Sequence, residues 1–199
     1  MMLYLSLGSN LGDRMANLNL AVCMIEERIG HVTARSGAIE TEPWGFDSVN
    51  LFLNIAIAVE TSLRPEEVLD ITQEIERSIG RKEKSTDGTY RDRLIDIDLL
   101  IFGNMIIRTD RLSLPHPLMA KRRFVLEPLA QIAPALMHPV LNRTIAQLLE
   151  SMVTEEKAMA DNYLENHYEE YLRRKAEWER KKNGRYSART KNDGDEKDS

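Results

Sequence analysis

Between residues 2 and 102 the spacing of apolar side chains switches between strand and helix periods in an order that few folds accommodate. "MLYLSLG" (2–8) is a short apolar run entering a Gly-Ser-Asn turn, so it reads as a strand. From Arg14 to Ile29, Leu18, Ala21, Val22, Ile25 and Ile29 recur at helical spacing, and Gly30 supplies the stop. "HVTARSGAIET" (31–41) and "FLNIAIAVET" (52–61) are β-type. The second alternates, with Leu53, Ile55, Ile57 and Val59 on one face and Asn54, Ala56, Ala58 and Glu60 on the other. Pro65 opens a second helix through about Ile79, with Val68, Leu69, Ile71, Thr72 and Ile75 inward and Gly80 ending it. "LIDIDLLIF" (94–102) returns to strand character, and "GNMIIRT" suggests a tight turn into a short partner strand. Strand, helix, strand, strand, helix, strand is the split βαβ order of a ferredoxin-like sandwich. The expected fold is therefore α+β, an antiparallel sheet with its flanking helices on one face.

Residues 110–152 extend this domain with "LPHPLMAKRRFVLEPLAQIAP" and a short amphipathic stretch near Thr144 to Met152. Residues 155–199 differ in character, holding 12 acidic and 11 basic side chains. Glu169 with Arg173, Glu170 with Arg174, and Glu177 with Lys181 are spaced as favourable helical ion pairs. We expect a domain over 1–154 and a charged C-terminal extension over 155–199. The extension should be an exposed helix over 156–182, offering Leu164, Tyr168, Tyr171 and Trp178 for docking, then a disordered end after Gly184. The net charge of −5 gives no case for a nucleic-acid partner. A single cysteine, Cys23, excludes an internal disulfide framework and points to the cytoplasm. No apolar run approaches the roughly 18 residues that a membrane span requires.

The segment "RDRLIDIDLLIFGN" (91–104) places two aspartates inside an otherwise apolar strand. Alternation turns Asp96 and Asp98 the same way, while Ile95, Ile97 and Leu99 turn to the opposite layer. Two carboxylates this close disfavour each other's ionisation, and a divalent cation relieves the conflict. Magnesium is commonly held by one or two carboxylates plus substrate phosphates. Alone, such a pair is more often a solvated strand edge. Here Arg81, Lys82, Lys84, Arg91 and Arg93 lie just upstream in a polar loop, and Lys121, Arg122 and Arg123 follow downstream. Carboxylates beside clustered cations are what a magnesium-triphosphate complex requires. There is no G-x-x-x-x-G-K-[ST], no protein-kinase motif and no G-x-G-x-x-G, so phosphate chemistry here follows another scheme.

Six segments, "LSLGSNLGDR" (5–14), "TEPWGF" (41–46), "FLNIAIAVET" (52–61), "IERSIGR" (75–81), "YRDRLIDIDLLIFGN" (90–104) and "LPHPLMAKRRFVLEPLAQIAP" (114–134), stand in a telling order. Together they resemble 6-hydroxymethyl-7,8-dihydropterin pyrophosphokinase, a family of folate biosynthesis, over roughly residues 3–150. The resemblance implies transfer of the terminal diphosphate of ATP to the pterin hydroxymethyl group, with release of AMP. It implies two magnesium ions on Asp96 and Asp98, and a pterin held by Thr41, Glu42, Trp44 and Asn54, stacked by Phe52 and Phe124, with Asp96 beside it. Glu76, Arg81, Arg93, His116 and Arg122 would contact ATP, and Arg81, Arg93, Asp96 and Asp98 would serve the transfer itself. The implied partners are these small molecules alone, with the chain a monomer or weak homodimer.

The residues agree with that chemistry on their own terms. A flat, hydrogen-bonding ring calls for aromatic walls and an amide, and an unpaired buried Asn54 would be costly. Phe52 and Phe124 taken alone read more readily as core residues. The chain departs from the family pattern around 82–92. Tyr90, Arg91 and Asp92 replace a Trp-Gly-Pro stretch, Glu83 stands for an arginine, and Tyr90 or Lys84 becomes the residue to cover the nucleotide. Pro117 stands where an aromatic can occur. The rival reading is a non-catalytic regulatory module of ferredoxin-like fold that binds magnesium and nucleotide.

Overall fold

A computed structural model describes residues 1–45, 48–80 and 92–192. Arg81, Lys84 and Tyr90, and the polar loop expected to be mobile around them, lie outside the described residues. The elements are β1 (Met2–Ser9), α1 (Arg14–Arg28), β2 (His31–Arg35), β3 (Ile39–Thr41), β4 (Phe52–Glu60), α2 (Pro65–Ile79) and β5 (Asp96–Phe102). They are followed by β6 (Ile107–Arg108), β7 (Ser113–Leu114), a 3₁₀ turn (Met119–Lys121), α3 (Arg123–Ile132) and α4 (Ile145–Asn192).

The main sheet runs β2-β4-β1-β5, with β3 continuing along β4, and each pairing is antiparallel. This is the ferredoxin-like strand order, β1 lying between the last strand and the strand of the hairpin. Sequence spacing predicts one β segment over 31–41, and the structure divides it at Ser36–Ala38. Ser36 turns its hydroxyl to accept the Ala56 N–H at 2.9 Å, taking the place of a ladder bond at the break. β6 pairs with β7 rather than with β5, after a turn at Gly103, where φ is 52°.

Asp13 caps α1 by accepting the Ala16 N–H at 2.9 Å. Pro65 occupies the first turn of α2, where its missing N–H costs nothing, and Gly80 closes the helix at φ 119°. Both helices lie on one face of the sheet. Leu18, Ala21 and Ile25 of α1 and Val68 and Ile75 of α2 pack on Leu3, Leu5, Leu7, Ile55, Ile57, Ile97 and Leu99. Residues 110–152 do more than extend this arrangement, since they form a second layer on the opposite face. Met119, Val125, Leu126, Leu129, Ile145 and Leu148 cover Ala56, Leu100 and Ile101. Alanines at 56 and 58 let α3 approach β4 closely.

The chain divides into two compact units, Met1–Met152 and Val153–Ser199. In the second unit α4 continues to Asn192, so residues 185–192 are helical where composition predicts disorder. The reason is local: "RYSARTKN" contains neither proline nor glycine, and its Arg, Ala and Lys favour helix. Tyr163, Tyr168, Tyr171 and Trp178 are exposed, and Arg174 pairs with Glu170 at 2.7 Å. Among the described residues no helix is long and apolar enough to cross a membrane.

Candidate active site

The register of the sheet sets out the site in two rows. Asn54, Gly8 and Asp96 are neighbours across β4, β1 and β5, and Ala56, Ser6 and Asp98 form the next row. These side chains share the face that α3 covers only in part. Gly8 keeps the floor low: a Cβ there would lie 2.9 Å from Asn54 Oδ1 and 3.5 Å from Phe52. Asn54 is 3% exposed and donates through Nδ2 to Thr41 Oγ1 at 2.9 Å. That bond leaves its carbonyl side to face the recess.

Above this floor stand Glu42 and Trp44 from the loop after β3, Phe52 from β4, Arg93, and Arg122 and Phe124 from the start of α3. The recess measures about 510 Å³ including its open mouth. The Arg122 guanidinium sits 4.7 Å from the Trp44 ring centre and 5.7 Å from that of Phe124, and these two rings are tilted at 56°. Arg122 Nη1 lies 3.7 Å from Asp98 Oδ2, and Arg93 Nη1 lies 2.7 Å from Asp96 Oδ2. Each aspartate thus has its own arginine.

A second recess opens on the other side of the carboxylates, along the free edge of β5. It is lined by Leu69, Thr72, Gln73 and Glu76 of α2, by Asp96–Leu99, and by Arg111–Ser113, His116 and Pro117. Its volume is about 740 Å³ with the open mouth. The strand edge here is not left bare: Ile97 N–H donates to Glu76 Oε1 at 2.9 Å, and His116 N–H donates to Leu100 O at 2.9 Å. Asp96 and Asp98 border both recesses.

Electrostatics follow from this placement. Desolvation, with the Asp96 charge second, pushes the Asp98 carboxyl up to about 7 against the pull of Arg122. Burial, assisted by Arg122, holds the His116 imidazole down at about 4. The Leu118 N–H donates to His116 Nδ1 at 3.2 Å, so the neutral ring carries its proton on Nε2. Two converging carboxylates, one of them reluctant to ionise alone, fit a magnesium ion that completes its shell with water and phosphate oxygens. Among the described residues no group of three or more His, Cys, Asp or Glu gathers as a closed metal cage.

Comparison with known proteins settles the lineage. The profile of the family described as 7,8-dihydro-6-hydroxymethylpterin-pyrophosphokinase (HPPK) matches residues 4–134. The chain belongs to this family. It is 49% identical over 137 residues to 2-amino-4-hydroxy-6-hydroxymethyldihydropteridine pyrophosphokinase of Porphyromonas gingivalis, covering 68% of this chain and 92% of that one. The Aquifex aeolicus protein of the same name is 38% identical over 144 residues, covering 72% and 88%. Among solved structures, Plasmodium falciparum HPPK-DHPS superposes with a TM-score of 0.66 at 18% identity. That match covers 79% of this chain and 46% of the longer one, and it speaks for the fold.

Within this HPPK chain, Thr41, Glu42, Trp44, Phe52, Asn54, Arg93, Asp96, Asp98, Arg122 and Phe124 meet in one recess. Glu76 and His116 line the other. Arg81 and Lys84 lie outside the described residues. Sequence reasoning passed over Ser6, which reads as one more residue of an apolar strand, and Gly8, whose Gly-Ser-Asn context signals only a turn. It also passed over Leu69, Gln73 and Arg111–Ser113, which carry no motif and join the second recess only through the fold.

Proposed function

We propose that this chain transfers the pyrophosphoryl group of ATP to the hydroxymethyl group of 6-hydroxymethyl-7,8-dihydropterin, giving the pterin diphosphate and AMP, in folate biosynthesis. One observation carries the reading: Asp96 and Asp98 form the shared border of two recesses of different chemistry. The first, with aromatic walls and the Asn54 amide, suits a flat heterocycle with a hydrogen-bonding edge. The second, flanked by Glu76 and His116 and apolar at Leu69 and Leu112, suits a nucleotide whose phosphates reach toward the aspartates.

In this arrangement Asn54, held by Thr41, orients the pterin between Phe52 and the Trp44–Phe124 side. Its hydroxyl then faces the β-phosphorus for in-line attack, with AMP departing into the second recess. Asp96 and Asp98 would hold two magnesium ions, which would supply charge neutralisation for the phosphates. Arg93 and Arg122, already aimed at the aspartates, offset charge on the transferring group, and neutral His116 offers its Nε2–H to a phosphate oxygen. The family pattern assigns Arg81 to the ATP phosphates, and Lys84, in the segment that departs from that pattern, is a candidate with Tyr90 to cover the nucleotide. Catalysis in this scheme comes from positioning and electrostatics rather than from covalent chemistry. The protein is read as cytoplasmic and as a monomer or weak homodimer, which suits its free, exposed Cys23 and its small-molecule substrates.

The test is AMP formation from ATP with magnesium, with and without 6-hydroxymethyl-7,8-dihydropterin. Pterin-dependent AMP is the expected result. ATP binding with no AMP would transfer support to the regulatory module.

A further inference from the structure

A carboxylate that borders neither recess ties together the segments that build the first one. Asp92 precedes Arg93 directly. Its Oδ1 accepts from Asn10 Nδ2 at 2.6 Å and its Oδ2 accepts from Asn50 Nδ2 at 2.7 Å. Asn10, 3% exposed, then clasps Arg93 itself: its Oδ1 accepts the Arg93 N–H at 2.7 Å, and its own N–H donates to Arg93 O at 3.2 Å. Its amide nitrogen also reaches Asn50 O at 3.4 Å. Hydrogen bonds from the Ser48, Asn50 and Asn10 side chains hold the Asp92 carboxyl below its ordinary range, so it is a full anion at neutral pH. One carboxylate thus joins the turn after β1, the approach to β4 and the approach to β5.

What it joins is mechanistically paired. Asn50 lies two residues before Phe52 and four before Asn54, on the pterin side of the first recess. Arg93, whose main chain is fixed by Asn10, presents its guanidinium to Asp96 at 2.7 Å. The neighbouring residue, Leu51, is held separately through its carbonyl by Arg14 at 2.8 Å, and Arg14 also pairs with Glu40 at 2.7 Å. Two anchors on consecutive residues therefore set where β4 begins. Asp92 accepts only, and its partners donate from two sides, so no neutral side chain of the same shape reproduces the pattern.

We propose that Asp92 is a positioning residue for the pyrophosphoryl transfer, holding the pterin side of the recess at Asn50–Asn54 in register with Arg93 and Asp96. The proposal rests on the function given above. Its position is exposed, so the effect falls on alignment of the reacting groups rather than on folding.

The pairing can be inverted. Asp92→Asn turns an amide donor against Asn50, Asn50→Asp sets two carboxylates face to face, and the double variant restores one donor to one acceptor. With the full chain, each single change should lower kcat about tenfold while KM for ATP stays within about twofold. The double variant should return to within about threefold of the unaltered protein, with Tm constant to about 2 °C throughout. Unchanged kcat in the single variants overturns the proposal, as does a double variant no better than the singles, or a Tm loss that tracks lost turnover. Absence of pterin-dependent AMP with the unaltered chain is a separate outcome, which overturns the functional reading and this proposal with it.

Discussion

The two faces of β5 are one residue apart in sequence and meet opposite surroundings. Ile97 and Leu99 are 6% and 5% exposed and pack into the layer formed by α1 and α2. Asp96 and Asp98, alternating with them, turn toward two open recesses and toward Arg93 and Arg122. The first face gains from removing apolar surface from water. The second gains nothing for folding by holding two carboxylates together, as the raised Asp98 carboxyl makes plain. β5 is paired with β1 and bonded through Ile97 to Glu76 of α2, so the rigidity supplied by one face would position the proposed chemistry of the other.

That division can be broken from either side. The largest effect should come from converting Asp96 and Asp98 together to asparagine. Turnover should fall by more than about 10³-fold, in line with the loss of charge stabilisation at a phosphoryl-transfer site. Calorimetric titration of magnesium into the ATP-loaded variant would check that binding is lost with it. Ile95→Ala, at a buried core residue that lines neither recess, attacks the other face. It should cost about 2–4 kcal/mol in denaturant unfolding, through lost burial and the cavity left behind, while kcat per folded molecule changes little.

A smaller and pH-dependent effect belongs to His116 at the second recess. Folded, its imidazole is held at about 4, whereas the unfolded chain returns it to about 6.5. The unfolded state therefore takes up the proton first on acidification. Stability contributed by the neutral ring is complete above about pH 6.5 and is lost as pH falls through about 4. His116→Gln should flatten the unfolding free energy between those limits, by up to about 3 kcal/mol relative to the unaltered chain. Equal slopes in the two proteins would show that the ring is not held neutral. The smallest effect concerns the second unit: a chain ending at residue 154 should retain pterin-dependent AMP formation within about twofold, as measured by kcat.

How much of this was legible beforehand depended on the range of the interactions. Alternation along 94–102 separates Ile95, Ile97 and Leu99 from the two aspartates, and periodicity alone yields the strand and helix order that the sheet follows. The break at Ser36–Ala38 escaped because a side-chain hydroxyl continues the ladder there, leaving no change of period to see. α3 escaped because Pro128 lies inside it and prolines at 115, 117 and 134 surround it, although its first residues place Arg122 and Phe124 over the site. The family resemblance named those two residues, but composition could not show that Arg122 lies against Trp44 and Phe124. The clasp of Asn10, Asn50 and Asp92 joins positions 42 and 82 apart, a separation at which no local pattern carries information. In "YRDR", Asp92 marked only a departure from the family; the fold gives it partners.

In the proposed reaction β5 serves the fold with one face and catalysis with the other, and Asp98→Ala tests that most directly when turnover and unfolding are read on the same sample at pH 8. Pterin-dependent AMP formation should be lost while Tm stays level or rises, because a carboxylate that ionises against its surroundings has been removed. A variant that keeps near-normal AMP formation, or that loses it only by unfolding, would contradict the assignment.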